Sequence, residues 1–129
     1  MKNILLLLLL SSILFADIRV LKAIPSIVES GIKIVDIRTK SEWKETGVIK
    51  NSILITYYDE KAHYNIKHFL DILNGHINKN EEFGIICRSG NRTSMVVKVL
   101  NKKGYHIINL SGGIESLIKQ GYKLVSYKK

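Results

Sequence analysis

The feature that most constrains this chain is an alternation of two periodicities. Four short runs rich in Ile or Val, at 33–37, 52–55, 83–87 and 106–110, are each bounded by polar or turn residues. Runs of that length and composition read as buried strands. Segments with helical spacing lie between them, at 23–30, 39–45, 64–77, 92–103 and 113–120. In the third, Ile66, Phe69, Leu70, Leu73 and Ile77 share one face. In the fourth, Met95, Val96, Val99 and Leu100 are expected on one face, and Gly104 ends the helix. Strands that alternate with helices cannot pair as hairpins. They predict an α/β fold, a small and mainly parallel sheet flanked by helices on both faces. No Gly/Ser-rich linker and no internal repeat divides the chain, and Pro25 is its single proline. One domain over 17–129 is expected.

The N-terminus reads differently. Lys2 is the only charged residue before Asp17, and the thirteen residues from Ile4 to Ala16 are apolar except for Ser11 and Ser12. A basic start, an apolar run and a small residue at its end are the pattern of a secretory signal peptide. A bilayer-spanning helix needs about 20 apolar residues, so a lasting membrane anchor is not expected. Residues 1–16 are therefore read as a signal peptide, cut after Ala16, with delivery to the periplasm.

The formal net charge is +9, and sixteen of the twenty basic residues are lysines. They are scattered and do not interleave with aromatics, which argues against a nucleic-acid surface. A positive field attracts small anions instead. Four histidines, His63, His68, His76 and His106, show no metal-ligand spacing with each other or with Cys87. That spacing gives no reason to expect a metal site. The stretch 57–64, with Tyr57, Tyr58 and Tyr64, reads either as an exposed loop or as a border of the site.

Cys87 is the only cysteine, so no intramolecular disulfide can form. It closes the Phe83–Ile86 apolar run, and Arg88-Ser89-Gly90-Asn91-Arg92-Thr93 leads from it into a helix. In a parallel α/β sheet, ligands bind beyond the carboxyl ends of the strands. A tight loop feeding a helix start gathers backbone N–H groups into an anion-binding nest. Gly90 and Asn91 tolerate the positive φ angles such a loop needs. Arg88 and Arg92 add two full charges. The setting favours an anion, and the thiolate is the nucleophilic form of cysteine.

These residues resemble a known family. Cys87-Arg88-Ser89-Gly90-Asn91-Arg92-Thr93 is similar to the active-site loop of single-domain rhodaneses, Cys-Arg-x-Gly-x-Arg-Ser/Thr. Val35-Asp36-Ile37-Arg38, then Glu42-Trp43 and Gly47-Val48-Ile49, resembles the family's early signature, and Leu110-Ser111-Gly112-Gly113 its late Leu-x-Gly-Gly. The three segments stand in family order. The resemblance implies that Cys87 accepts a sulfane sulfur from a small anionic donor such as thiosulfate or polysulfide. The resulting persulfide passes that sulfur to cyanide or a thiol, and the resemblance implies no metal or organic cofactor. Arg88, Ser89, Gly90, Asn91, Arg92 and Thr93 would hold the donor, with Asp36 and Arg38 as structural groups nearby. Val48 stands where the family has His, Leu117 where a Trp is common, and Asn51 where Gly is common.

Two other functions compete. Related loops in cysteine-dependent phosphatases and arsenate reductases cradle oxyanions, but those phosphatases place the arginine one residue further on. Here only four residues separate Cys87 from Arg92. A non-enzymatic carrier would use the same persulfide but deliver polysulfide sulfur to a redox protein partner. A pure binding domain of this kind would usually lack the cysteine.

Overall fold

A computed structural model describes residues 18–128. The apolar run at 4–16 and its expected cleavage site lie outside the described residues. The strands are β1 (Arg19–Lys22), β2 (Ile34–Asp36), β3 (Ile53–Leu54), β4 (Glu82–Ile86) and β5 (His106–Ser111). The helices are α1 (Pro25–Val28), α2 (Lys40–Thr46), α3 (Ile66–Asn74), α4 (Asn91–Lys102) and α5 (Gly113–Lys119). Every strand pairing in the sheet is parallel, in the order β1-β5-β4-β2-β3.

Each expected strand and helix is present, with ends moved by a few residues. The expected helix at 23–30 shrinks to a single turn. Pro25 suits a helix start because its missing N–H is one the first turn leaves unbonded anyway. The expected helix at 64–77 starts later, where the Asn65 side chain accepts the His68 N–H at 3.0 Å. β1 was not anticipated. Its pattern is largely exposed, because it is an edge strand paired only with β5.

The two faces of the sheet carry two apolar clusters. One packs α3 and α4 over Val35, Ile37, Phe83 and Ile85, with Cys87 in the same cluster. The other packs Val28 of α1 and Ile114 and Leu117 of α5 over Ile34, Ile86, Ile108 and Leu110. Burying such a side chain fully contributes about 1.5–3 kcal/mol. A strand covered on both faces needs no polar side, which is why β4 reads as a continuous apolar run. The buried face of α4 is Thr93, Val96, Val97 and Leu100, spaced as successive turns of one stripe. Met95, expected on that face, is 57% exposed, because its position lies off that stripe. Leu117 is buried in the second cluster, and Val48 bridges Val125 in an antiparallel pair that fastens the C-terminal segment. Asn51 adopts φ 65°, the left-handed conformation that Asn tolerates better than other side chains with a Cβ.

β4 is central. From β2 the chain moves outward to β3, and from β4 it moves outward the other way to β5. The carboxyl ends of β2 and β4 therefore frame the crevice where connections diverge, the place at which open α/β sheets bind ligands. Cys87 immediately follows β4.

Candidate active site

Cys87 is 1% exposed, at the floor of a loop whose outer residues Arg88, Ser89 and Asn91 are exposed. Gly90 caps α4 with φ 100°, a conformation that favours glycine. That turn brings the Gly90 N–H to 3.2 Å from the Cys87 Sγ, which accepts it. The Cys87 thiol lies 3.7 Å from the Thr93 Oγ1, and the Thr93 hydroxyl donates to the Gly90 carbonyl at 3.1 Å. A hydroxyl can donate or accept, so Thr93 can serve either form of the sulfur. The sulfur thus sits at the start of a three-turn helix whose first N–H groups lack intrahelical partners.

A second helix supports the loop from behind. Ile114 N–H donates to the Cys87 carbonyl at 2.9 Å, and Glu115 N–H to the Arg88 carbonyl at 3.0 Å. The start of α5 can come this close because residue 113 is glycine. This is the physical content of the Gly112-Gly113 pair in the sequence.

The two arginines of the loop are both engaged with carboxylates. Arg92 donates through both terminal nitrogens to Glu42, at 2.6 and 2.7 Å, a bidentate clamp between α4 and α2. Arg88 donates through Nε to Glu115 at 3.0 Å. Glu42 also completes a capping box, taking the Thr39 N–H while the Thr39 hydroxyl accepts from the Glu42 N–H. Burial pushes the Glu42 carboxyl up, but the Arg92 and Thr39 hydrogen bonds outweigh it and hold it at about 2. The hydrogen bonds to Glu42 raise the Arg92 guanidinium, and the nearby Cys87 and Asp36 add to the effect.

Asp36 and Arg38 form a fully buried pair. Arg38 also donates to Thr46 Oγ1 at 2.7 Å and to the Gly47 carbonyl at 2.9 Å. This pair anchors the far end of α2 to β2, and so sets the helix that presents Glu42 to the loop. The 57–64 stretch is ordered around tyrosines. Tyr57 is buried in the cluster that contains Cys87, and its ring stacks on Tyr64 at 5.4 Å. Tyr58 packs edge-on against both. Among the described residues no group of three or more His, Cys, Asp or Glu is placed to hold a metal ion.

The model of the rhodanese-like domain matches residues 22–120. This chain belongs to the rhodanese-like domain family. Membership points to a sulfurtransferase-type or sulfur-carrier role. An uncharacterized protein of Rickettsia prowazekii (strain Madrid E) is 31% identical over 86 residues, covering 64% of this chain and 68% of that protein. A rhodanese-like domain protein of Staphylococcus aureus is 32% identical with TM-score 0.54, over 70% of this chain and 79% of that one. A rhodanese-related protein of Thermoplasma volcanium is 27% identical with TM-score 0.60, over 78% and 87%.

In this rhodanese-like domain residues 88–90 form the turn after Cys87, with the positive φ at Gly90 and not at Asn91 as the sequence had suggested, and Asn91, Arg92 and Thr93 open α4. Glu42 and Glu115, which hold its two arginines, received no role from the sequence. A signal for Glu42 existed in the Thr39-x-x-Glu42 spacing of a capping box. Glu115 had none beyond its place three residues after Gly112.

Proposed function

We propose that this chain is an exported rhodanese-type sulfurtransferase working through a persulfide on Cys87. The observation that carries the reading is the Gly90 N–H directed at the Cys87 sulfur where the central strand meets the start of α4. The Cys87 thiolate attacks the sulfane sulfur of the donor, thiosulfate or polysulfide. A new sulfur–sulfur bond forms to Cys87 as the donor's own breaks. With thiosulfate the leaving group is sulfite, which departs with the bonding electron pair. Cyanide or a thiolate then attacks the outer sulfur of the persulfide and leaves as thiocyanate or a new persulfide, returning the Cys87 thiolate. No net oxidant is consumed. The Gly90 amide and the helix start oppose the negative charge that persists on sulfur through both steps. Arg88, Ser89, Asn91 and Thr93 border the donor, and Arg92 holds the loop closed through Glu42.

The near-complete burial of Cys87 also suits a carrier that shields its persulfide until a redox protein partner takes the sulfur. Turnover separates the two, since an enzyme cycles freely with thiosulfate and cyanide and a carrier turns over poorly without its partner. The basic start and apolar run at 2–16 support export to the periplasm. N-terminal sequencing of natively expressed protein should find a chain beginning near Asp17, and an intact cytosolic Met1 would overturn export. For the chemistry, purified protein is incubated with thiosulfate or polysulfide and weighed by mass spectrometry. One added sulfur atom per chain, removed by cyanide, is expected. Absence of any gain with either donor overturns the reading.

A further inference from the structure

The loop has two arginines and no unopposed charge from either. Arg92 spends both terminal nitrogens on Glu42, and Arg88 is paired with Glu115. The third guanidinium in the neighbourhood, Arg38, is cancelled by Asp36. A cleft of about 130 Å³ runs beside the loop between α2 and α5. Its charged lining is Arg38, Arg88, Glu42, Glu45 and Glu115. With Arg38 neutralised by Asp36, Glu42 by Arg92 and Glu115 by Arg88, Glu45 is left as the one carboxylate of this lining outside an ion pair. The chain's excess lysines give a diffuse positive field, but the groups at the loop itself sum to neutral or slightly negative. What remains for an anion at Cys87 is the partial charge of amides at a helix start, equivalent to roughly half an elementary charge.

Resting on the sulfur-transfer reading, we infer that this site is built for sulfane donors of low charge, alkyl persulfides, and discriminates against the thiosulfate dianion through Glu42 and Glu115. The charge count supports it. A thiolate and thiosulfate together bring three negative charges to the loop. A thiolate and an alkyl persulfide bring two when the persulfide is ionised, and one in the protonated form whose outer sulfur is attacked. In that reaction the Cys87 thiolate attacks the outer sulfur of R–S–SH. The inner sulfur leaves as the thiolate R–S⁻, and Cys87 carries the S–SH group. Atoms and charge balance without an oxidant. Glu42 and Glu115 touch no reacting atom. They act as specificity-determining positioning residues, setting the charge and orientation of Arg92 and Arg88.

The test is single-turnover loading of the full-length protein, followed by mass gain, with thiosulfate and with a low-molecular-weight alkyl persulfide. Wild type, Glu42→Gln and Glu115→Gln are compared. Glutamine keeps the shape and an accepting oxygen but removes the charge. The wild type should load faster from the persulfide than from thiosulfate. Glu115→Gln should raise the thiosulfate rate, by about fivefold for one unit charge removed near a partly solvated site, and change the persulfide rate much less. Glu42→Gln also loses one of the two bonds that hold the loop, so both of its rates fall while the ratio of thiosulfate to persulfide loading still rises. The gain should shrink as salt is added. A merely structural role would move both donors together. Glu115 is half-exposed and outside the capping box, so its variant remains informative should Glu42→Gln fold poorly. A wild type that loads from thiosulfate at least as fast, or a donor ratio unchanged in Glu115→Gln, overturns the inference while leaving sulfur transfer intact. Loading by neither donor overturns sulfur transfer itself.

Discussion

Gly113 packs its α-carbon against the carbonyl oxygen of Cys87 so closely that a Cβ built there would lie 2.4 Å from that oxygen. The same Cβ would meet the Arg88 carbonyl at 2.5 Å. Both obstacles are backbone, so neither can swing aside. The glycine also sits at φ 61°, where an L side chain is disfavoured. Gly113→Ala should therefore cost about 3 kcal/mol or more and displace the loop that follows Cys87. Gly31 is the control, with φ 90° but nothing within 4 Å of its added Cβ. Gly31→Ala should cost only about 1–2 kcal/mol. Denaturant midpoints of the two variants check this, and equal losses would refute the packing argument.

Arg92→Lys should separate charge from geometry. The ammonium keeps the positive charge but cannot form two parallel bonds to Glu42. Stability should fall by about 1–2 kcal/mol for a clamp of this burial. Persulfide formation should slow by about tenfold or more, because the loop would no longer be held in one position. Wild-type loading kinetics in Arg92→Lys would show that the clamp is dispensable.

The same clamp makes an acid-stability prediction. The Glu42 carboxyl lies at about 2 in the folded chain, against an ordinary 4.5. A depressed carboxyl contributes stability that is fully present above its unfolded value. It is lost as pH falls, because the unfolded chain takes up the proton first. The stability difference between wild type and Glu42→Gln should hold steady above about pH 5. It should then shrink between the ordinary value and about 2. Urea titrations at stepped pH measure it. A difference that stays constant down to the acid limit would mean that Glu42 is not clamped in solution.

How much of this was written in the sequence depends on the range of the interaction. The buried strands were legible because both sheet faces are covered, leaving Ile85, Ile86 and their neighbours as uninterrupted apolar runs. Cys87 and its loop were legible because glycine, asparagine and a helix start are local signals. β1 was not, since an edge strand half in solvent carries Arg19 and Lys22 and no alternation. The pairings of Arg92 with Glu42, fifty residues apart, and of Arg88 with Glu115, twenty-seven apart, depend on how α2 and α5 dock. No window of sequence contains them. Counting the arginines alone gave two free positive charges, and only the fold placed a carboxylate on each.

Cys87 carries the functional reading. Its sulfur accepts from the Gly90 N–H and neighbours the Thr93 hydroxyl, so a serine there finds polar partners already in place. Cys87→Ser should keep the fold, with stability within about 1–2 kcal/mol of wild type. It should gain no sulfur from any donor, because no second cysteine can substitute. The burial of the thiol adds a size dependence. Opening the loop enough for a small electrophile disturbs little, whereas a bulky one must displace Arg88 and Ser89. At neutral pH, wild type should be alkylated by iodoacetamide much faster than by a polymer-linked maleimide. Persulfide loading beforehand should add its sulfur beneath the alkyl group. Sulfur transfer surviving in Cys87→Ser, or a wild-type thiol inert to both reagents in the folded protein, would replace the catalytic reading with that of a buried structural cysteine.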